Sequence, residues 1–176
     1  MKDMNEMALR FPIGEFENPA GLDLDQVQGW IQDIADLPEQ LRRVVTQLDA
    51  DQWETPYRPG GWTARQVVHH LADSHMNSLI RFKLALTEEE PVIKPYDEAA
   101  WAQLPDTLAA DPEMSLALLD SLHARWAQLL LSLPAEAWLR AFRHPERGRV
   151  LLYENAAMYA WHGKHHLAHI GLILGK

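Results

Sequence analysis

From Leu24 to Leu48 the apolar residues Val27, Trp30, Ile31, Ile34, Leu37, Leu41, Val44, Val45 and Leu48 recur every three or four positions. That spacing lays one apolar stripe along a helix, and the stripe can be buried only against a partner. Pro38 falls inside the stretch and is expected to kink or interrupt it. Three more stretches carry helix signals. Thr63 and Gln66 have the spacing of a capping box, which starts a helix at Ala64 that runs to about Leu86. "DPEMSL" supplies Asp111 as N-cap, Pro112 at the first helical position and Glu113 in the first turn, for a helix reaching about Leu133. A last helix is expected from about Tyr153 to Leu174. Four long helices in one chain fold as an all-α four-helix bundle, here taken as a single domain over residues 1–176.

The punctuation between these stretches completes the outline. "FPIGEFENPAG" holds Pro12, Gly14, Pro19 and Gly21, so the first 22 residues are expected to form an extended arm packed on the outside. A long connection between the second and third helices carries Pro91, Pro95 and Pro105, with a short helix near Tyr96 to Leu104. Up-down-up-down order is compatible with this layout, and so is a crossover. A short helix, "PAEAWLRAF", and a basic turn, "RHPERGR", precede the last helix.

Composition excludes several roles. With 16 Lys+Arg against 25 Asp+Glu the formal charge is -9, and no basic cluster exists to hold a phosphate backbone, so no nucleic-acid partner is expected. No apolar run reaches the roughly 18 residues of a membrane span, and "MKDMNEMALRF" lacks the pattern of a signal peptide. A cytoplasmic location without a membrane partner is the expectation. The chain has no cysteine, so any thiol chemistry must use a thiol that the substrate brings.

Seven of the nine histidines fall in two groups: His69, His70 and His75, then His162, His165, His166 and His169. On the last helix His162/His166 and His165/His169 are both i,i+4 pairs, and either places two imidazoles one turn apart, within reach of one ion. All four rings lie within an arc of about 100°, so spacing leaves the choice of pair open. The second helix offers His69 or His70 as a third ligand, with Asp73 as a carboxylate able to orient an imidazole. His75, His123 and His144 read as structural histidines.

At "PYRPGGWTARQVVHHLADSHMNSLIRFKLALTEE" and "YAWHGKHHLAHI" the chain resembles the DinB-like superfamily, in particular its YfiT-type branch, and the opening "FPIGEF" fits that branch as well. Members carry a metal-dependent hydrolase name and are related to bacillithiol transferases. The resemblance implies one divalent ion per chain, zinc or nickel, held by His70, His162 and His166. It leaves His165 and His169 as catalytic candidates, behind the ligands or as proton shuttles. It further implies an enzyme acting on a small-molecule substrate. One form is transfer of a low-molecular-weight thiol of the bacillithiol type to electrophilic small molecules; the alternative is hydrolysis by water activated at the ion. A non-catalytic metal-binding module is a third reading. Arg65 and Arg81 are candidate partners for the carboxylates of such a thiol, and the branch is associated with homodimers.

Overall fold

The computed structural model describes residues 2–175; Met1 and Lys176, the ends of the expected domain, lie outside them. The chain opens with α1 (Lys2–Arg10), a helix where an extended arm was expected, and residues 11–23, which begin with a turn closed by the Gly14 N–H to Phe11 C=O bond, form no helix or strand. At nine residues α1 is too short for its apolar spacing to read as a helix from sequence. Asp23 then caps α2 (Leu24–Val45), its carboxylate accepting from the Asp25 and Gln26 N–H groups. This helix runs unbroken through Pro38. A proline has no N–H for the carbonyl four residues back, which here is Ile34. That freed carbonyl is taken by the Nδ1–H of His123 at 2.5 Å, so the cost of the proline is offset inside the core.

The short α3 (Ala50–Trp53) leads to a turn, and the expected capping box starts α4 (Ala64–Thr87): Thr63 accepts from the Gln66 N–H while the Gln66 amide oxygen accepts from the Thr63 N–H. The connection that follows holds α5 (Glu98–Trp101) and α6 (Pro105–Ala109). Asp111 and Pro112 begin α7 (Pro112–Leu131) as expected. The "PAEAWLRAF" stretch is one 3-10 turn at Ala135–Leu139, and the basic turn is the tip of an antiparallel hairpin, β1 (Ala141–His144) and β2 (Gly148–Leu151). The last helix is α8 (Leu152–Leu174), its first turn held by Glu154 accepting from the Leu151 N–H at 2.8 Å.

Helix α2 packs on α7 and α8, and α4 packs on the same two, so α2 faces α4 across the diagonal. Two apolar clusters fix the directions. One joins the N-terminal halves of α2 and α8 to the C-terminal halves of α4 and α7, around Ile34, Phe82, Trp126 and Ala156. The other joins the opposite halves, around Leu41, Val68, Leu119 and Ile170. Hence α2 and α8 run one way and α4 and α7 the other, and residues 88–111 are a crossover returning along the bundle. Each large side chain buried in these clusters stabilises the fold by roughly 1.5–3 kcal/mol. Among the described residues no helix is long and apolar enough to cross a membrane.

Between the two clusters lies a polar layer. On α4 it is His70, Ser74, His75 and Ser78; on α7 it is His123; on α8 it is Asn155, His162 and His166. Gly163 lets α8 approach α2 at this level, since a Cβ there would stand 2.9 Å from Cδ2 of Leu37.

Candidate metal centre

Helix α4 brings His70 to face His162 and His166 of α8, one turn apart on the same side. One ring nitrogen from each of the three lies within 4.8 Å of the others. The Nε2 atoms of His70 and His162 are 3.2 Å apart. Two nitrogens bound to one tetrahedral zinc at about 2.0–2.1 Å stand roughly 3.3–3.4 Å apart, so the spacing suits a shared ion. Burial holds the His70 imidazole down to about pKa 4, helped by the nearby His165 and His169. His162 and His166 are lowered well below the ordinary value, again by burial first and by neighbouring imidazoles second. All three rings are therefore neutral at physiological pH, which is the form that binds metal.

Hydrogen bonds behind the ligands select the tautomers. His169 Nε2 lies 3.1 Å from the Arg10 carbonyl, which can only accept, so Nε2 carries the proton and Nδ1 is an acceptor. His166 Nδ1 stands 3.3 Å from that acceptor and donates to it, which frees His166 Nε2 for the ion. His162 Nδ1 is likewise 3.1 Å from Nε2 of His75. Through His169 the end of α1 is tied to the centre, with Phe11 packed 5.9 Å from the His165 ring.

One side of the site is closed by the turn "PYRPGGWT". It is pinned by the Tyr57 N–H to Trp62 C=O bond, and Gly60 sits at φ +69, where side chains are disfavoured. A Cβ on Gly61 would lie 2.8 Å from Cγ of Arg58, so the turn also needs its second glycine. The turn stacks Tyr57 on His169 at 3.8 Å between centroids and sets Trp62 4.6 Å from His70. His162 is the one half-exposed member of the trio, and it lines a cleft of about 850 Å³. Phe11, Phe16, Tyr96, Tyr159, Arg81 and Arg147 are also on its wall. Burial raises the phenol pKa of Tyr96 and of Tyr159, so both remain protonated donors, and Tyr159 accepts from the Ser74 hydroxyl at 3.3 Å. Neither Arg81 nor Arg147 forms a hydrogen bond or ion pair among the described residues.

The structure sorts the sequence-derived candidates. His70, His162 and His166 come together. His165 and His169 do not line the cleft: His169 braces His166, while His165 stacks on Trp161 at 4.4 Å with its Nδ1 buried and unpaired. His69 points away from the centre, paired with the Ser115 hydroxyl at 2.7 Å and the Ala110 carbonyl at 3.3 Å, so Asp73 has no imidazole to orient. Asp73 instead has its carboxyl raised to about 6, by burial and then by Asp106. Arg65 is engaged by Glu54 and the Ala110 carbonyl, away from the cleft, whereas Arg81 is on its wall. His75 is not the isolated core histidine that its position suggested; it is fully buried and contacts His162. Arg147 lies in the basic turn and Tyr57 and Trp62 in the "PYRPGGW" stretch, but neither feature marked these residues as neighbours of the site.

The pattern of the DinB superfamily matches residues 22–170. The chain belongs to that superfamily. A protein of Bacillus cereus strain B4264, named "Putative metal-dependent hydrolase", is 54% identical over 162 residues, covering 92% of this chain and 93% of its own length. Bacillus subtilis YfiT, of the same name, is 51% identical over 168 residues, covering 95% of this chain and 94% of YfiT. The solved structure of YfiT, described as an unusual four-helix bundle topology, superposes with a TM-score of 0.92 at 49% identity over 94% of this chain and 95% of that one.

Proposed function

We propose that this protein is a divalent-metal-dependent enzyme that transfers a low-molecular-weight thiol, of the bacillithiol type, to electrophilic small molecules. The observation that carries the reading is the one-sided opening of the centre, through His162, into a cleft whose wall carries two guanidiniums, Arg81 and Arg147, both of which attract the nearby carboxylate of Glu98. His70, His162 and His166 would hold the ion. A bound divalent ion lowers the pKa of a coordinated thiol or water, which makes a nucleophile at neutral pH. A free thiol is only a few per cent ionised there, so the gain is large for a chain that must borrow its thiol.

The residues supply the rest. Arg81, on α4, and Arg147, in the hairpin turn, reach the cleft from different elements and would hold the carboxylates of the thiol substrate. Phe11, Phe16 and Trp161 give the electrophile an apolar wall and keep water away. Tyr96 and Tyr159, protonated, would donate hydrogen bonds to a leaving group or developing oxyanion. The names of the relatives favour a second reading, hydrolysis at the same centre.

The two readings separate in a turnover assay on zinc- or nickel-loaded protein. Bacillithiol paired with monochlorobimane is run beside a panel of esters and amides without thiol. Conjugation that needs both metal and thiol and is lost in His70→Ala supports the transferase. Metal-dependent hydrolysis without thiol supports the second reading instead. Inactivity in both arms would leave a metal-binding module without turnover.

A further inference from the structure

The polar layer contains two histidines that the metal trio does not account for. His75 of α4 and His123 of α7 are both 0% exposed, stacked on each other with ring centroids 4.9 Å apart and an interplanar angle of 24°. No carboxylate hydrogen-bonds to either ring. Apolar packing would favour a large apolar side chain at these positions, as found one turn away at Leu79, Leu119 and Trp126. Two buried imidazoles with unpaired nitrogens are a poor core, which calls for another reason to place them here.

We infer that His75 is a positioning residue for the metal centre, fixing the ring and the tautomer of His162 through the Nε2 to Nδ1 contact of 3.1 Å. The inference rests on the three-histidine centre and not on which reaction that centre performs. The positions of the protons follow once an ion is bound. His162 presents Nε2 to the trio, 3.2 Å from Nε2 of His70, so with an ion bound its proton is on Nδ1. His162 Nδ1–H then donates to Nε2 of His75, and the His75 proton is on Nδ1. His123 is fixed independently: its Nδ1–H donates to the Ile34 carbonyl, the acceptor that Pro38 leaves free on α2. The ring that buttresses His75 is thus itself anchored to the backbone of a third helix.

The arrangement repeats the one at the other α8 ligand. His166 is backed by His169, which ends on the Arg10 carbonyl; His162 is backed by His75, which leans on His123. His75 holds the half-exposed ligand on the cleft side, the one that arriving substrate would disturb. Partners behind a ligating histidine fix its orientation and raise its basicity, and losing one typically lowers metal affinity about 10- to 100-fold.

The test is zinc affinity, measured by competition with a chromophoric chelator, for wild type, His75→Leu and His75→Gln. The Gln side-chain oxygen can accept from His162 Nδ1–H, whereas Leu cannot. His75→Leu should bind zinc about 10- to 100-fold more weakly at unchanged stoichiometry, and His75→Gln should recover most of the loss. Equal affinity in all three overturns the inference, and so does an equal loss in both variants, which would mean that only the shape of the ring matters. Failure of wild type to bind zinc would instead remove the centre itself. A second readout needs no variant. In zinc-loaded wild type with ¹⁵N-labelled histidine, NMR should show His162 protonated on Nδ1, slow to exchange, with a coupling across the hydrogen bond to His75 Nε2. A His75 protonated on Nε2 would contradict the assignment even if His75→Leu does not fold.

Discussion

Acid should destabilise the metal-free protein above the ordinary carboxylate range, because the polar layer buries neutral imidazoles. Burial holds His70 and His123 at about pKa 4 in the folded state. Once unfolded, each returns to about 6.5. Between those values the unfolded chain binds protons that the folded protein does not, so stability falls as pH falls. For one such ring the loss between about pH 7.5 and about pH 5.5 is roughly 1.3 kcal/mol. His75, His162 and His166 are lowered further and are also still neutral at that acidity, so they contribute the same loss. Five rings together come to about 6.5 kcal/mol, comparable with the roughly 5–15 kcal/mol that holds a domain together, and His165 and His169, also held at about 4, act in the same direction. Asp73 and Glu98, whose carboxyl pKa values burial raises, oppose the trend, but they are two groups against five imidazoles, four of them buried. Urea unfolding of chelated protein, followed by tryptophan fluorescence across this pH range, measures the slope. An unfolding free energy that is flat or rises toward acid would refute the reasoning. His123→Phe should remove one ring's share, roughly 1.3 kcal/mol of the loss between about pH 7.5 and about pH 5.5.

Gly163→Val should cost about 1–3 kcal/mol, because the new side chain meets Leu37 where α8 and α2 are closest; thermal unfolding gives the size, and an unchanged midpoint would contradict the packing described. His169→Phe removes the bridge between His166 and the Arg10 carbonyl. Trypsin should then cut after Arg10 faster than in wild type, and zinc should slow that cleavage in wild type only.

Much of the bundle was legible because its signals are local. The capping box at Thr63, the Asp111–Pro112 start and the apolar spacing of α2 each concern residues within one or two turns. The hairpin was missed because β1 and β2 are four residues each, too short for alternation to show. Pro38 misled for a physical reason: a proline interrupts a helix when the freed carbonyl is stranded, and here His123, 85 residues on, satisfies it. The site divides in the same way. Spacing placed two imidazoles one turn apart on α8 but could not choose the pair, since that depends on which arc of the helix faces α4. His75 was read as structural, and the residue it contacts, His162, is 87 positions away in the chain, beyond the reach of any local pattern. Arg147 and Trp62 reach the centre only through the hairpin and the glycine turn, contacts that no local pattern encodes.

The central claim is that His70, His162 and His166 hold one divalent ion. Metal content after zinc loading and desalting, measured by mass spectrometry on wild type and on His70→Ala, His162→Ala and His166→Ala, tests it most directly. The account predicts one zinc per chain in wild type and a loss of stoichiometric binding in each variant, with all four proteins folded by circular dichroism. Equal zinc content across the four would contradict it.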